Sequence, residues 1–321
     1  MSFQAEPEFP AARPTDADRP RANVSAARRR RLDQWFGAGL TVPALLVITS
    51  VFAFPVCYAV WLSLHSNSVE GLPTQFVGFG NYVALFHDGV FIGSVGRTLY
   101  FTVVTVIPGI ALALGLAMLL NRQFRGRAVA CVLMLVPWAT PEVSTGITWH
   151  LIYNPAYGIL NVVLLKLGIV NHNISWTGTQ NLALNCVAFA QLWALIPFMA
   201  LVLLAALQRV PLSLYRAARV DGAGSLSRFR HVILPTIRYP LVFAFLVQTM
   251  WSLRVFGVIY VITSGGPANG TTTLNYYAFE QSFEYLNFGT GSSIAIVVAV
   301  ATLFTTLGYL VLMIQPRSKA K

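Results

Sequence analysis

Seven side chains set within strongly apolar runs combine aromatic faces with hydrogen-bonding groups: Trp138, Glu142, Trp193, Phe198, Gln248, Trp251 and Ser252. Polar groups in such runs are costly, so a functional role is their starting interpretation. Sugars are bound by aromatic faces that cover their C–H surfaces and by polar groups that exchange hydrogen bonds with their hydroxyls, because a buried hydroxyl left unpaired is expensive. In Pro137-Trp138-Ala139-Thr140-Pro141-Glu142, two prolines stand around a Trp and an acid. Trp138 and Glu142 are four apart and share a face if the helix continues through the prolines. Pro141 also frees a backbone carbonyl one turn back. Trp193-Ala194-Leu195-Ile196-Pro197-Phe198 repeats the theme, and Gln248, Trp251, Ser252 and Val255 fall on one face of a later run that also holds Arg254. Each of these residues has a plainer use in helix packing. Glu142 could instead sit near a membrane interface, or pair with Arg254 to hold two helices together.

Other chemistries find little support. The five His (65, 87, 150, 172, 231) show no metal-ligand spacing, and the three Cys (57, 131, 186) lie inside apolar runs as small core residues. No GxxxxGK[ST] phosphate loop occurs, no nucleophile motif joins the Ser and His residues, and the acids are too dispersed for a paired-carboxylate site. An enzyme is not expected, and no cofactor or metal is expected in this chain.

The elements that must position the set are membrane spans. The chain is 56% hydrophobic and 10% charged, against roughly 25% charged in soluble domains. Its mean hydropathy is +0.64. Residues 1–35 read as a disordered basic tail ending in Arg28 to Arg31. Apolar runs at 36–64, 98–120, 128–150, 184–207, 241–262 and 292–314 are each about 20 residues or longer, the length that crosses a bilayer. The expectation is an all-α polytopic membrane protein with six spans over 36–314 and a short tail at 315–321. If six spans alternate, 19 of the 22 Lys and Arg fall on one side, leaving Arg97 and Lys166 opposite and Arg254 within a span. That asymmetry places both termini in the cytoplasm. The net charge of +11 follows the membrane and is no sign of nucleic acid.

Between the fourth and fifth runs lies a basic, punctuated loop, 208–240, with six Arg against one acid, Asp221. Pro211 to Val220 reads as a short helix, since Pro is tolerated in a first turn. Asp221-Gly222 supplies a turn. A second short helix follows with Ser225 near its cap, and Pro235 closes the unit.

The run Ala217-Ala218-x-x-Asp221-Gly222-Ala223, followed by Phe229, Ile233, Leu234 and Pro235, resembles the EAA loop of binding-protein-dependent ABC importer permeases. The family pattern begins with Glu where this chain has Arg216, which reverses a charge. Gly80-Asn81-Tyr82 after the first span and Thr263-Ser264-Gly265-Gly266-Pro267 after the fifth resemble the sugar-importing branch, in particular the larger permease of maltose-type systems. The likeness covers about residues 36 to 314 and departs at Arg97-Thr98, where the family usually has Asn-Thr.

The resemblance implies a type I importer permease of the bacterial plasma membrane, multi-pass, that moves a carbohydrate inward by alternating access. It implies a second homologous permease, two ATPase subunits that use ATP and Mg, and an extracytoplasmic sugar-binding protein. Tyr215, Arg216, Ala217, Ala218, Asp221, Gly222, Ala223, Phe229 and Pro235 become the ATPase-coupling surface. Trp138, Glu142, Ala194 and Phe198 fall where maltose-type permeases place cavity residues, with Ser252 and Val255 near the matching polar positions. The sugar stays open: a disaccharide such as trehalose, a monosaccharide and a polyol phosphate all suit the set, with Arg254 as a phosphate attractor. The alternative from another class is a proton-coupled secondary transporter that uses Glu142.

Overall fold

The computed structural model describes residues 24–66 and 75–314. The described residues are mostly helical, and among them the single β-bridge joins His65 to Phe76. The chain divides into two compact units, residues 1–57 and 58–321. Helix α1, Val24–Ser63, begins in the first and ends in the second. Helix therefore starts inside the stretch read as a tail. Residues 1–23 and the C-terminal segment 315–321 lie outside the described residues.

The second unit continues with α2 (Gly80–His87), α3 (Gly89–Leu120), α4 (Arg127–Met134), α5 (Val136–Ala139), α6 (Glu142–Ile152) and α7 (Ile159–Lys166). Then come α8 (Gln180–Gln208), α9 (Leu212–Val220), α10 (Ser225–Arg228), a π-helical turn at Phe229–Ile233, and α11 (Leu234–Thr236). Last are α12 (Arg238–Leu253), α13 (Gly257–Ile262), α14 (Leu274–Phe279), a second π-turn at Glu280–Glu284, and α15 (Phe288–Ile314). Four stretches are long and apolar enough to cross a membrane: Thr41–Ser63, α3, α8 and α15. Two bent pairs bring the number to six if each is one span.

Helices α3 and α8 form the continuous centre. The 32 residues of α3 extend about 48 Å, more than the roughly 30 Å of hydrocarbon. Asp88 starts it, its side chain accepting from Val90 N at 2.8 Å. Ala113 and Ala117 of α3 and Ala200 and Leu203 of α8 are fully buried in one cluster with Ala244 of α12. Such small residues let backbones approach closely. In a bilayer the lipid tails are as apolar as leucine, so this seam depends on close packing and hydrogen bonds. One polar tie is Thr105 Oγ1 on α3 to Ser252 Oγ on α12, at 2.8 Å. A second cluster surrounds Phe101, Val187, Val258 and Ile259. A third joins α14 and α15 to the start of α3.

Two expected spans are not continuous. The run at 128–150 bends by 92° between α5 and α6. Thr140 is extended (φ −76°, ψ 127°) because a residue before proline is pushed out of the helical region. The helix therefore does not survive its prolines, and Trp138 and Glu142 belong to different helices. The run at 241–262 also stops early: α12 ends at Leu253, the chain turns through Arg254 to Phe256, and α13 resumes at Gly257. Gln248, Trp251 and Ser252 stay on α12, whereas Val255 falls in the break rather than on their helical face. Pro235 does not close the loop unit either. It fits the first turn of α11, and the 75° bend comes at Ile237, before α12.

Candidate functional site

Where the two breaks meet, a cavity of about 230 Å³ opens among Trp138, Thr140, Glu142, Thr145, Gln191, Ala194, Leu195, Trp251 and Val258. Each element brings a distinct group. Helix α5 carries Trp138, whose ring stacks on Phe198 of α8 at 4.6 Å and 16°. Phe198 in turn packs against Trp251 of α12 at 5.6 Å. The three rings thus make one aromatic wall across three helices. Glu142 opens α6, and its Oε2 accepts from Gly257 N, the first residue of α13, at 3.2 Å. The pairing of Glu142 with Arg254 is not formed among the described residues. The carboxylate faces the start of α13, while Arg254 ends α12 as an exposed residue.

Two further polar groups line this cavity without partners. Thr145 is 1% exposed and Gln191 3% exposed, and neither Thr145 Oγ1 nor Gln191 Oε1 has a hydrogen-bond partner. Buried polar atoms are paired in the great majority of cases, so two orphans lining one cavity mark a place where a ligand or water completes the bonding.

The structure brings Trp138, Glu142, Ala194 and Trp251 to the cavity and puts Phe198 directly behind Trp138. The other candidates sit elsewhere. Trp193 points away and meets Trp149 edge-on at 5.9 Å. Gln248 and Ser252 are fully buried between α12 and α3, where Ser252 bonds Thr105 and Gln248 Nε2 donates to Thr105 O at 3.5 Å. Val255 is packed in the second cluster.

The 208–240 loop is a built surface. Helix α9 ends in a Schellman turn: Gly222 N donates to Arg219 O at 3.2 Å and Ala223 N to Ala218 O at 2.9 Å. Gly222 takes φ +74°, the left-handed region that favours glycine. The cap of α10 is Gly224 rather than Ser225, whose Oγ instead accepts from Arg228 Nη2 at 3.3 Å. Tyr215 and Phe229 anchor the unit against the first core cluster, and burial pushes the Tyr215 phenol upward while Arg228 opposes it. Arg216, Ala217, Asp221, Gly222 and Pro235 are exposed, whereas Ala218 and Ala223 are half-buried. Beside them Leu212, Val220 and Leu226 are largely exposed as well, Val220 to 88%. An apolar patch ringed by arginine is the form of a protein-docking face.

Residues 109–320 match the family described as the binding-protein-dependent transport system inner membrane component. The chain belongs to this family. It is 37% identical over 272 residues to the trehalose/maltose transport system permease of Thermococcus litoralis, covering 84% of this chain and 91% of that one. It is 34% identical over 301 residues to the sulfoquinovosyl glycerol permease of Agrobacterium fabrum, covering 91% and 97%. The sn-glycerol-3-phosphate permease of Escherichia coli is 32% identical over 287 residues, covering 88% and 96%. Among solved structures, a bacterial ABC transporter involved in import of the acidic polysaccharide alginate matches in fold, with a TM-score of 0.77 at 18% identity over 91% of this chain and 100% of that one.

In this inner membrane component, sequence reasoning missed Thr140, Thr145 and Gln191. The signal available was spacing. Thr145 follows Glu142 by three residues and Gln191 precedes Ala194 by three, the separation that puts two side chains on one helical face.

Proposed function

We propose that the chain is one permease subunit of an ATP-driven importer that carries a carbohydrate inward by alternating access. The cavity at the two helix breaks carries this reading: its lining combines the aromatic rings of Trp138 and Trp251, the Glu142 carboxylate, and two buried polar atoms that lack partners, on Thr145 and Gln191. That combination matches the two sides of a sugar, and the relatives' names favour the same class of cargo. The bent pairs are, in this reading, spans three and five of six, and the distribution of Lys and Arg supports a cytoplasmic position for both termini and the 208–240 loop.

In this reading α9 with its exposed Val220, and Leu226 of α10, enter a cleft on a separate ATPase, which supplies ATP and Mg. A second homologous permease completes the pathway, two ATPase copies drive it, and an extracytoplasmic binding protein delivers the sugar. Arg216 at the position of the family's Glu means that the ATPase cleft offers an acid or a polar group there. Proton coupling through Glu142 gains no support from any observation on the cavity, and membership in a binding-protein-dependent family favours ATP as the energy source.

The test is reconstitution in vesicles with the partner permease, the ATPase and the binding protein, reading ATP hydrolysis stimulated by the sugar-loaded binding protein. Stimulation in the wild type, and its loss in Gly222→Pro with the complex still assembled, is the expected result. Uptake that follows a proton gradient, with no ATPase bound, would overturn the proposal.

A further inference from the structure

The charge of the cavity narrows its cargo further, given the permease reading above. We infer that the transported polyol carries no anionic group, and that Glu142 is the residue that turns phosphorylated, sulfonated and carboxylated sugars away.

Glu142 is the one charged group among the cavity-lining residues, which include no Lys, Arg or His. One of its oxygens is held by Gly257 N, and no hydrogen bond reaches the other among the described residues. An anion brought into this space meets a like charge at Glu142, and no cationic lining residue offsets it. The aromatic wall adds to it, because the faces of Trp138 and Trp251 carry the negative side of the ring quadrupole. Those faces receive C–H groups and reject oxyanions.

Hydrogen-bond direction points the same way. A carboxylate accepts and does not donate, and the unpaired atom of Gln191 is its carbonyl oxygen. These groups need donors from the ligand. A sugar hydroxyl donates one proton and accepts at two lone pairs, so it suits them and the Thr145 hydroxyl alike. An ionised phosphate, sulfonate or carboxylate brings acceptors only. It would leave the buried Gln191 carbonyl unpaired, the costly outcome, and would set an oxyanion beside the Glu142 carboxylate. Arg254, the natural attractor for an oxyanion, ends α12 as an exposed residue and is not among the cavity-lining residues. Relatives named for glycerol phosphate and for a sulfonated glycoside therefore do not set the substrate of this chain.

Matched ligands isolate the charge. The purified complex of this chain with its partner permease and ATPase, without binding protein, is titrated by tryptophan fluorescence, Trp138 and Trp251 being reporters inside the cavity. The probes are trehalose against trehalose 6-phosphate, glucose against glucuronate, and glycerol against sn-glycerol 3-phosphate. The expected result is at least tenfold weaker binding of the charged member in any pair whose neutral member binds. Glu142→Gln is expected to weaken neutral binding, since Glu142 is itself a ligand group, and still to shrink that ratio to within about threefold, while a Trp251→Phe complex assigns the signal to the cavity. Equal binding of neutral and charged members, or a ratio unchanged in Glu142→Gln, overturns the inference while leaving the permease reading intact. Silence toward all six probes, with no uptake of any of them by the full vesicle system, overturns the permease reading and this inference with it.

Discussion

Glu142 Oε2 lies 3.2 Å from Gly257 N, so one hydrogen bond joins the two places where spans are broken. Glu142 is the first residue after the Thr140–Pro141 break, and Gly257 is the first after the Arg254–Phe256 break. Each partner supplies what the other lacks. Helix α13 begins with no side-chain cap, and the carboxylate stands where an N-terminal amide and the helix dipole favour negative charge.

Gly257→Ala tests that junction. A Cβ there would stand 2.6 Å from Glu142 Oε2 and 3.0 Å from Glu142 Cβ, so the carboxylate must swing away. The expected cost is about 1–3 kcal/mol of stability, in the range of an overpacked core. Sugar-stimulated ATP hydrolysis is expected to fall about tenfold or more. Thermal unfolding in detergent and the hydrolysis assay measure the two. A variant with unchanged hydrolysis would show that the junction is dispensable.

Thr145→Val and Gln191→Leu are expected to part stability from function. Each removes a buried polar atom that has no partner, which is neutral or stabilising by about 1 kcal/mol. Each also removes a hydrogen bond from the ligand, so sugar binding is expected to weaken about tenfold, in line with one lost polar contact. Loss of melting temperature together with binding would mean that these groups hold the fold instead.

Gly222→Ala and Gly222→Asn separate backbone strain from docking. A Cβ at Gly222 meets open space, so the penalty arises from the left-handed φ of +74° alone. Alanine is expected to cost about 1–2 kcal/mol locally and asparagine less, since Asn visits this region more readily. ATPase stimulation is expected to follow the order Gly, Asn, Ala. Equal stimulation in all three would mean that the Schellman turn does not shape the docking face.

Glu280 carries a pH signature. Burial, with Glu284 as the second cause, holds its carboxyl above the usual carboxylate range. A raised folded value means that the native state keeps its proton longer than the unfolded chain does. The associated stability is present in acid and is lost as pH rises through that value. Glu280→Gln is therefore expected to raise the melting temperature at pH 7 and above, with the gain shrinking toward acid. A gain independent of pH would point to a cause other than titration.

The membrane class, the apolar helices and the helix–turn–helix form of the 208–240 loop were legible in the sequence because they rest on local signals. Apolar length marked the helices, Asp221-Gly222 marked the turn, and Trp138 and Ala194 stood out beside prolines. The breaks were harder to place. Pro141 announced the first only conditionally, and nothing so plain announces the second, since Arg254-Val255-Phe256-Gly257 contains no proline. Thr145 and Gln191 read as ordinary residues of apolar runs. What distinguishes them is the absence of a partner, a property of the folded neighbourhood and not of the residue type. Ser252 shows the reverse case: a polar residue in an apolar run whose hydroxyl is paired with Thr105 on α3, away from the cavity.

The two breaks have a mechanical consequence. Helices α3 and α8 run unbroken and pack against each other along their length, as a mast would. The α5–α6 and α12–α13 pairs are jointed, and both joints are pinned at one carboxylate on the cavity wall. In the proposed import cycle, a push on the 208–240 loop would enter α12 at Ile237 and run along one helix to its end at Leu253. The displacement would then be delivered at the elbow beside the cavity, which would serve as the fulcrum of the stroke.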